Sequence, residues 1–333
     1  MKIALVTGSA GFIGYHTCQR LLADGVRVIG IDAMTDYYDV TLKQARHAEL
    51  TAHEGFTAHE QRIETPGVLA GLMATHRPDT VIHLAAQAGV RHSIDAPRSY
   101  LEANLQGTFE LLEAARATPP AHLMLSSSSS VYGANTQMPY GETQRTDHQM
   151  SLYAATKKAN EAMAHSYAHL YGLPTTMFRF FTVYGPWGRP DMALFKFTRA
   201  ILNDTPIDIY NHGDMQRDFT YATDLVEGIR RLVDAVPATG QPVAGDSLSP
   251  VAPYRVVNIG HGSPVKLTDF VDAIEAATGR VARRKLMEMQ PGDVPATWAD
   301  ASLLQTLVGE LPETPLACGV GNFVEWYRRY YNV

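Results

Sequence analysis

Cysteine is scarce in this chain: there are two in 333 residues, Cys18 and Cys318. That is too few for a disulfide framework or a thiolate metal cluster, so both read as plain packing and no metal site is expected. Long apolar runs are missing as well. No uninterrupted stretch reaches the roughly 18 residues of a membrane-spanning helix. The opening Met1-Lys2-Ile3-Ala4-Leu5-Val6 lacks the basic region and long apolar core of a secretory signal. These absences point to a cytoplasmic protein without a membrane partner. Positive charge is also in short supply. A net charge of −6 gives no footprint for nucleic acid, so an anionic ligand must be held by individually placed arginines. With 45% apolar and 19% charged residues the chain is globular, long enough for one large domain or two unequal ones.

What is present is an alternation of strands and helices. A buried strand over residues 2–7 runs into Gly8-Ser9-Ala10-Gly11-Phe12-Ile13-Gly14 and an amphipathic helix over 12–23. A second strand, 27–31, ends at Asp32. Glycines at this spacing let a backbone approach a pyrophosphate at a helix N-terminus, and an acid after the second strand takes ribose hydroxyls. Asp32 would repel a 2′-phosphate, so NAD is preferred over NADP. Further helices are read at 41–50, 68–76 and 97–117, with strands at 80–84 and 122–125. The pattern predicts an α/β protein: a Rossmann-type doubly wound parallel sheet covered on both faces. His83 reads as a satisfied histidine at a strand end. Asn104 is either a polar helix residue or a support for the sheet edge near the site.

Five serines, Ser126 to Ser130, lead into Val131-Tyr132-Gly133, and Tyr153 and Lys157 follow one helical turn apart. That spacing lets an ammonium stand beside a phenol and lower its pKa, giving a base for hydroxyl protons. About a third of one Tyr-x-x-x-Lys pair is expected by chance in such a chain, so the pair counts only through its neighbours. Beyond residue 181 the alternation loosens. A smaller, mixed α/β C-terminal substrate domain is expected from 182–221 and 261–333, with 222–236 and 255–260 returning to the 1–181 dinucleotide domain.

With Gly8, Gly11, Gly14, Asp32, Ser128, Tyr153 and Lys157 in this order, the sequence resembles the extended short-chain dehydrogenase/reductase family, and within it the UDP-glucuronate 4-epimerases. The likeness covers nearly the whole chain. Its specific pieces are Asp36-Tyr37-Tyr38-Asp39, Ala85-Ala86-Gln87-Ala88-Gly89-Val90-Arg91, the run from Arg179 to Asp191, Arg217-Asp218-Phe219-Thr220-Tyr221 and Pro291-Gly292-Asp293-Val294. The resemblance implies NAD-dependent, reversible C4 epimerisation of a UDP-sugar, with UDP-glucuronate to UDP-galacturonate the leading pair. Tyr153 would be the base, Lys157 would serve the nicotinamide ribose, and Ser128 would bond the reacting hydroxyl. Cofactor contacts would come from Gly8, Gly11, Phe12, Ile13, Gly14, Asp32, Leu84, Ala85, Ala86, Asn104, Tyr153 and Lys157. Substrate contacts would come from Arg91, Ser128, Ser129, Ser130, Tyr153, Thr182, Arg189, Arg217 and Asp293. Thr182 and Arg189 match the family's carboxylate-binding positions, and Gln290 stands where galactose-type epimerases place an arginine.

Relatives that dehydrate their sugar carry Asp-Glu where this chain has Ser129-Ser130, which removes the proton donor for that reaction. One departure concerns the adenine: Glu60-Gln61-Arg62-Ile63-Glu64 lacks the family's aspartate, leaving Gln61 or Arg62 as substitutes. A UDP-glucuronate decarboxylase, a neutral-sugar epimerase and a non-catalytic NAD-binding regulatory protein are the alternatives. A homodimer is implied, pairing the 97–117 and 153–171 helices across a two-fold axis.

Overall fold

The computed structural model describes residues 2–290 and 294–333. Strand β1 (Ile3–Thr7) leads into helix α1 (Phe12–Ala23), then β2 (Arg27–Asp32), α2 (Val40–Thr51), β3 (Phe56–Glu60), α3 (Val68–His76) and β4 (Thr80–His83). Two short helices, α4 (His92–Asp95) and α5 (Pro97–Tyr100), precede α6 (Gly107–Ala117), β5 (His122–Ser128), α7 (Leu152–Tyr171) and β6 (Thr175–Phe180). After β7 (Thr182–Tyr184), α8 (Ala193–Leu202), β8 (Ile207–Ile209), β9 (Gln216–Tyr221) and α9 (Ala222–Leu232), strand β10 (Tyr254–Ile259) joins the edge of the main sheet beside β6.

That sheet has seven strands in the order β10-β6-β5-β4-β1-β2-β3, all parallel. Its inner strands are buried along nearly their whole length because both faces are covered. Side chains alternate between two cores, as the two-residue period of a strand requires. Ala4, Val6, Ile82, Met124 and Phe178 pack with α1 and α9 on one face. Leu5, Val81, Leu123, Leu125 and Met177 pack with α3, α6 and α7 on the other. Strand order reverses between β1 and β4, which opens a crevice at their C-terminal ends where this fold class binds ligands.

A third core lies apart from the sheet. Here β7, β8 and β9 meet α8, α10 (Leu267–Thr278) and, beyond β11 (Pro264–Lys266), β12 (Arg284–Leu286), β13 (Ala296–Thr297) and α11 (Ser302–Val308), the terminal α12 (Leu316–Tyr331). Phe219 and Phe270 stack with ring centroids 4.0 Å apart at its centre. Small strands of both senses belong to this region: β11 runs antiparallel to β9, while β7 and β13 run parallel to it.

Two details differ from the sequence reading. Residues 97–117 do not form one regular helix, because Leu101–Gln106 winds as a wider π-type turn between α5 and α6. Strand β5 runs on through the serines to Ser128, fully buried, since their hydroxyls find partners inside the protein.

Candidate active site

A cleft of about 690 Å³ follows the crevice at the switch point, from the glycine turn after β1 to the end of β5. That is the size range of a small-molecule site. Gly8 adopts φ +72°, and a Cβ there would stand 2.8 Å from the backbone nitrogen of Ala85, so the loops after β1 and β4 touch only because residue 8 is glycine. A Cβ on Gly14 would sit 2.0 Å from the Gly8 carbonyl oxygen. Helix α1 starts at Gly11 with no side-chain cap and no acid in its first turn. Its first backbone N–H groups therefore remain for an anion, with the helix dipole behind them. Asp32 lines the same cleft and is anchored by N–H groups of Ala10 at 3.1 Å and Met34 at 2.9 Å. Turn, helix end and acid fit a dinucleotide: phosphate at the helix, ribose hydroxyls at the carboxylate.

The far end of the cleft is built by β5 and α7. The Ser151 hydroxyl caps α7, accepting from Ala154 N at 3.1 Å. This fixes the helix start so that Tyr153 falls in its first turn and Lys157 one turn deeper. Ser128, Tyr153, Lys157 and Arg189 all line the cleft. Lys157 is buried and donates to the Ser126 carbonyl at 2.8 Å and its hydroxyl at 3.3 Å. Burial lowers its pKa to about 8, with Glu161 acting the other way. Burial raises Tyr153, while a hydrogen bond with Ser128 and the charge of Arg189 pull it back. The spacing of Tyr153 and Lys157 does not reveal what the fold adds: the Lys157 ammonium also has partners at the end of β5, the Ser126 carbonyl and hydroxyl.

Phe12, Ile13, Leu84, Ala85 and Ala86 line the cleft, together with Gln61 and Arg62 of the departing stretch. Other expected residues stand elsewhere. Asn104 is buried behind the wall: its amide accepts from Gln87 N at 2.8 Å and donates to Gln87 O at 3.1 Å and to the Thr156 hydroxyl at 3.0 Å. It braces the loop after β4 against α7, the second of its two readings. His83 is satisfied by Thr7 at 2.8 Å and held neutral, its pKa lowered to about 3 chiefly by burial. Ser129 and Ser130 open a short 3₁₀ segment, where the Ser130 N–H donates to the Ser128 hydroxyl at 3.2 Å and the Ser130 hydroxyl accepts from it at 3.2 Å. Thr182 borders a small adjoining pocket that it shares with Arg189. The Arg91 guanidinium lies 5.0 Å from the Tyr210 ring centre, and Arg217 donates to the carbonyls of Gln216, Val294 and Pro295. Asp293 lies outside the described residues.

Two partners around Arg189 carried no role in the sequence reading, although both stand inside its motifs. Asp191 grips Arg189 through two bonds, to Nε at 3.0 Å and to Nη2 at 2.5 Å. Tyr37 donates its hydroxyl to Asp191 at 3.2 Å. Among the described residues no cluster of three or more possible metal ligands occurs, and no described helix is long and apolar enough to cross a membrane.

A doubly wound sheet with a glycine turn and acid at its switch point, and a Tyr–Lys pair opposite, defines a dinucleotide-binding α/β enzyme of the short-chain dehydrogenase/reductase type. The NAD dependent epimerase/dehydratase family matches residues 4–260, and the chain belongs to it. It is 54% identical to a probable UDP-glucuronate 4-epimerase of Rhizobium meliloti, over 98% of this chain and 97% of that protein. It is 46% identical to UDP-glucuronate 4-epimerase 2 of Arabidopsis thaliana, over 98% of this chain and 76% of that one. Among solved structures it resembles UDP-glucuronic acid 4-epimerase from Bacillus cereus in complex with UDP-glucuronic acid and NAD. The TM-score is 0.89 at 31% identity, covering 99% of this chain and 100% of that one.

Proposed function

We propose that this chain holds NAD along the cleft and interconverts UDP-glucuronate and UDP-galacturonate by oxidation and reduction at C4. The observation that carries the reading is the meeting of Tyr153, Ser128 and Arg189 at one end of a dinucleotide cleft: a base, a hydroxyl partner and a cation for an acidic sugar. The names of the relatives above support the same substrate.

The glycine turn and the N-terminus of α1 would hold the pyrophosphate, Asp32 the ribose hydroxyls, and Lys157 the hydroxyls of the second ribose. When bound, NAD supplies a hydride acceptor that takes hydrogen from C4 and returns it to the other face of the sugar. Tyr153, as phenolate, takes the proton of the C4 hydroxyl and later gives it back, while Ser128 holds that oxygen by a hydrogen bond. The N-terminal turn of α7 adds a partial positive charge beneath the phenolate.

Oxidation makes the sugar a β-keto acid, which loses carbon dioxide when its C5–C6 bond aligns with the ketone π system. Arg189, with Thr182 beside it, holds the carboxylate near the ketone plane through charge-assisted hydrogen bonds and forbids that alignment. Arg217, Arg91 and Asp293 belong to the same reading at the nucleotide end. The sheet and its returning segments form the dinucleotide unit, and the third core the sugar-nucleotide unit. Exposed Leu101 and Phe109 on one helical stretch and Leu170 and Tyr171 on α7 support a homodimer built on those helices. A cytoplasmic setting belongs to the same reading.

The test is direct. Incubated with UDP-glucuronate and followed by NMR, the protein forms UDP-galacturonate, and Tyr153→Phe slows this by about 10³-fold while leaving the fold intact. A pentose product, or undiminished turnover in Tyr153→Phe, overturns the proposal.

A further inference from the structure

Three consecutive backbone carbonyls, of Pro186, Trp187 and Gly188, are captured from the nucleotide side just before the chain reaches Arg189. His16 on α1 places Nε2 2.9 Å from the Pro186 oxygen. Burial lowers the His16 pKa to about 4, so the ring is neutral and this nitrogen donates. Arg46 on α2 donates from Nη2 to the oxygens of Trp187 at 2.6 Å and Gly188 at 3.5 Å. From Nη1 it reaches the Ala10 carbonyl at 3.0 Å and the Tyr38 hydroxyl at 2.9 Å. One guanidinium thus joins the glycine turn, whose Ala10 N–H is held by Asp32, to the loop that carries Arg189.

Arg46 is completely buried, has no carboxylate partner among the described residues, and leaves Nε without any partner. Sealing a cation among carbonyl dipoles and one phenol hydroxyl, with no anion beside it among the described residues, is costly. The loop it holds is costly too. Trp187 stands at φ +62°, in the left-handed region that bulky residues avoid. Its ring is wedged against Tyr15, Trp326 and Tyr330 at 5.5, 5.2 and 5.2 Å. Strain of this kind persists only where surrounding groups over-determine it, and it gathers at working sites.

We propose that Arg46 and His16 are positioning residues that hold residues 186–188 against the glycine turn, so that Arg189 presents its charge to the carboxylate of the sugar. The inference rests on the function proposed above. Neither side chain touches the sugar; both act through the backbone that precedes Arg189.

The experiment compares equilibrium binding of UDP-glucuronate and UDP-glucose, by calorimetry on NAD-loaded protein, in wild type, Arg46→Lys, His16→Leu and His16→Gln. Products formed from UDP-glucuronate are read by NMR. In Arg46→Lys and His16→Leu the preference for the uronate falls by about tenfold or more and a pentose product appears, while UDP-glucose binding moves by less than about twofold. His16→Gln, whose amide nitrogen can replace Nε2, keeps the wild-type preference. If Arg46→Lys does not fold, the His16 pair decides alone. A uniform loss of binding to both sugars, or an unchanged preference with epimer alone as product, overturns the inference while the function stands. A wild-type protein that does not prefer UDP-glucuronate overturns the function and this inference together.

Discussion

Arg179 and Arg189 each grip a carboxylate through Nε and Nη2, and the surroundings of the two pairs are opposite. Arg179 binds Glu161 at 2.8 and 2.9 Å and uses Nη1 on the Glu142 carbonyl at 3.2 Å. Glu161 also accepts from Ser127 and Lys158, and both side chains of the pair are 3% exposed. Arg189 binds Asp191 in the same manner, but its side chain is 21% exposed and borders the cleft. One pair spends its hydrogen-bonding capacity inside the protein. The other keeps a cation oriented beside open space. Saturation, not the pair itself, separates a structural ion pair from one that can recognise a ligand.

Breaking the enclosed pair gives the largest effect. Arg179→Met leaves Glu161 as a buried charge without its main partner, and urea denaturation should show a loss of about 3–5 kcal/mol. A loss under about 1 kcal/mol would erase the contrast. Lys157 sharpens it, because this buried cation leans on a carbonyl and a hydroxyl and so can give up its proton. Its folded pKa of about 8 lies below the unfolded lysine value. Between that pH and about 10.5 the unfolded chain alone holds the proton. Stability of the wild type relative to Lys157→Met should therefore rise with pH across this window, by up to about 3 kcal/mol, because each tenfold change in proton affinity is worth about 1.4 kcal/mol. A flat difference would place the lysine in a better solvated setting.

The cleft pair gives the smallest effect on stability. Arg189→Ala should cost less than about 1 kcal/mol in the same denaturation assay. It should cut the preference for UDP-glucuronate over UDP-glucose by about tenfold and release measurable carbon dioxide. Unchanged product and preference would leave Arg189 no more functional than Arg179.

The dinucleotide half is legible in the sequence because its signals are local. Gly8, Gly11, Gly14 and Asp32 sit within one strand–turn–helix–strand unit, and the spacing of Tyr153 and Lys157 is set by a single helix. What escapes the sequence depends on chain brought together from afar. The widened turn at Leu101–Gln106 adds no mark to an apolar periodicity, yet Asn104, which braces the Gln87 loop, lies within it. Spacing pairs Lys157 with Tyr153, but does not reveal that its ammonium also bonds Ser126 on a neighbouring strand. Arg46 reads as one more polar residue on a surface helix. Only the fold places it under residues 186–188, with no solvent to reach. Asp191 and Tyr37 stand in conspicuous motifs, but their shared partner Arg189 is evident only from geometry.

The central claim is oxidation and reduction at C4 of one bound sugar, and UDP-glucuronate carrying deuterium at C4 tests it most directly. The UDP-galacturonate formed should keep its deuterium at C4. Replacement of that deuterium by hydrogen from the solvent would contradict the account.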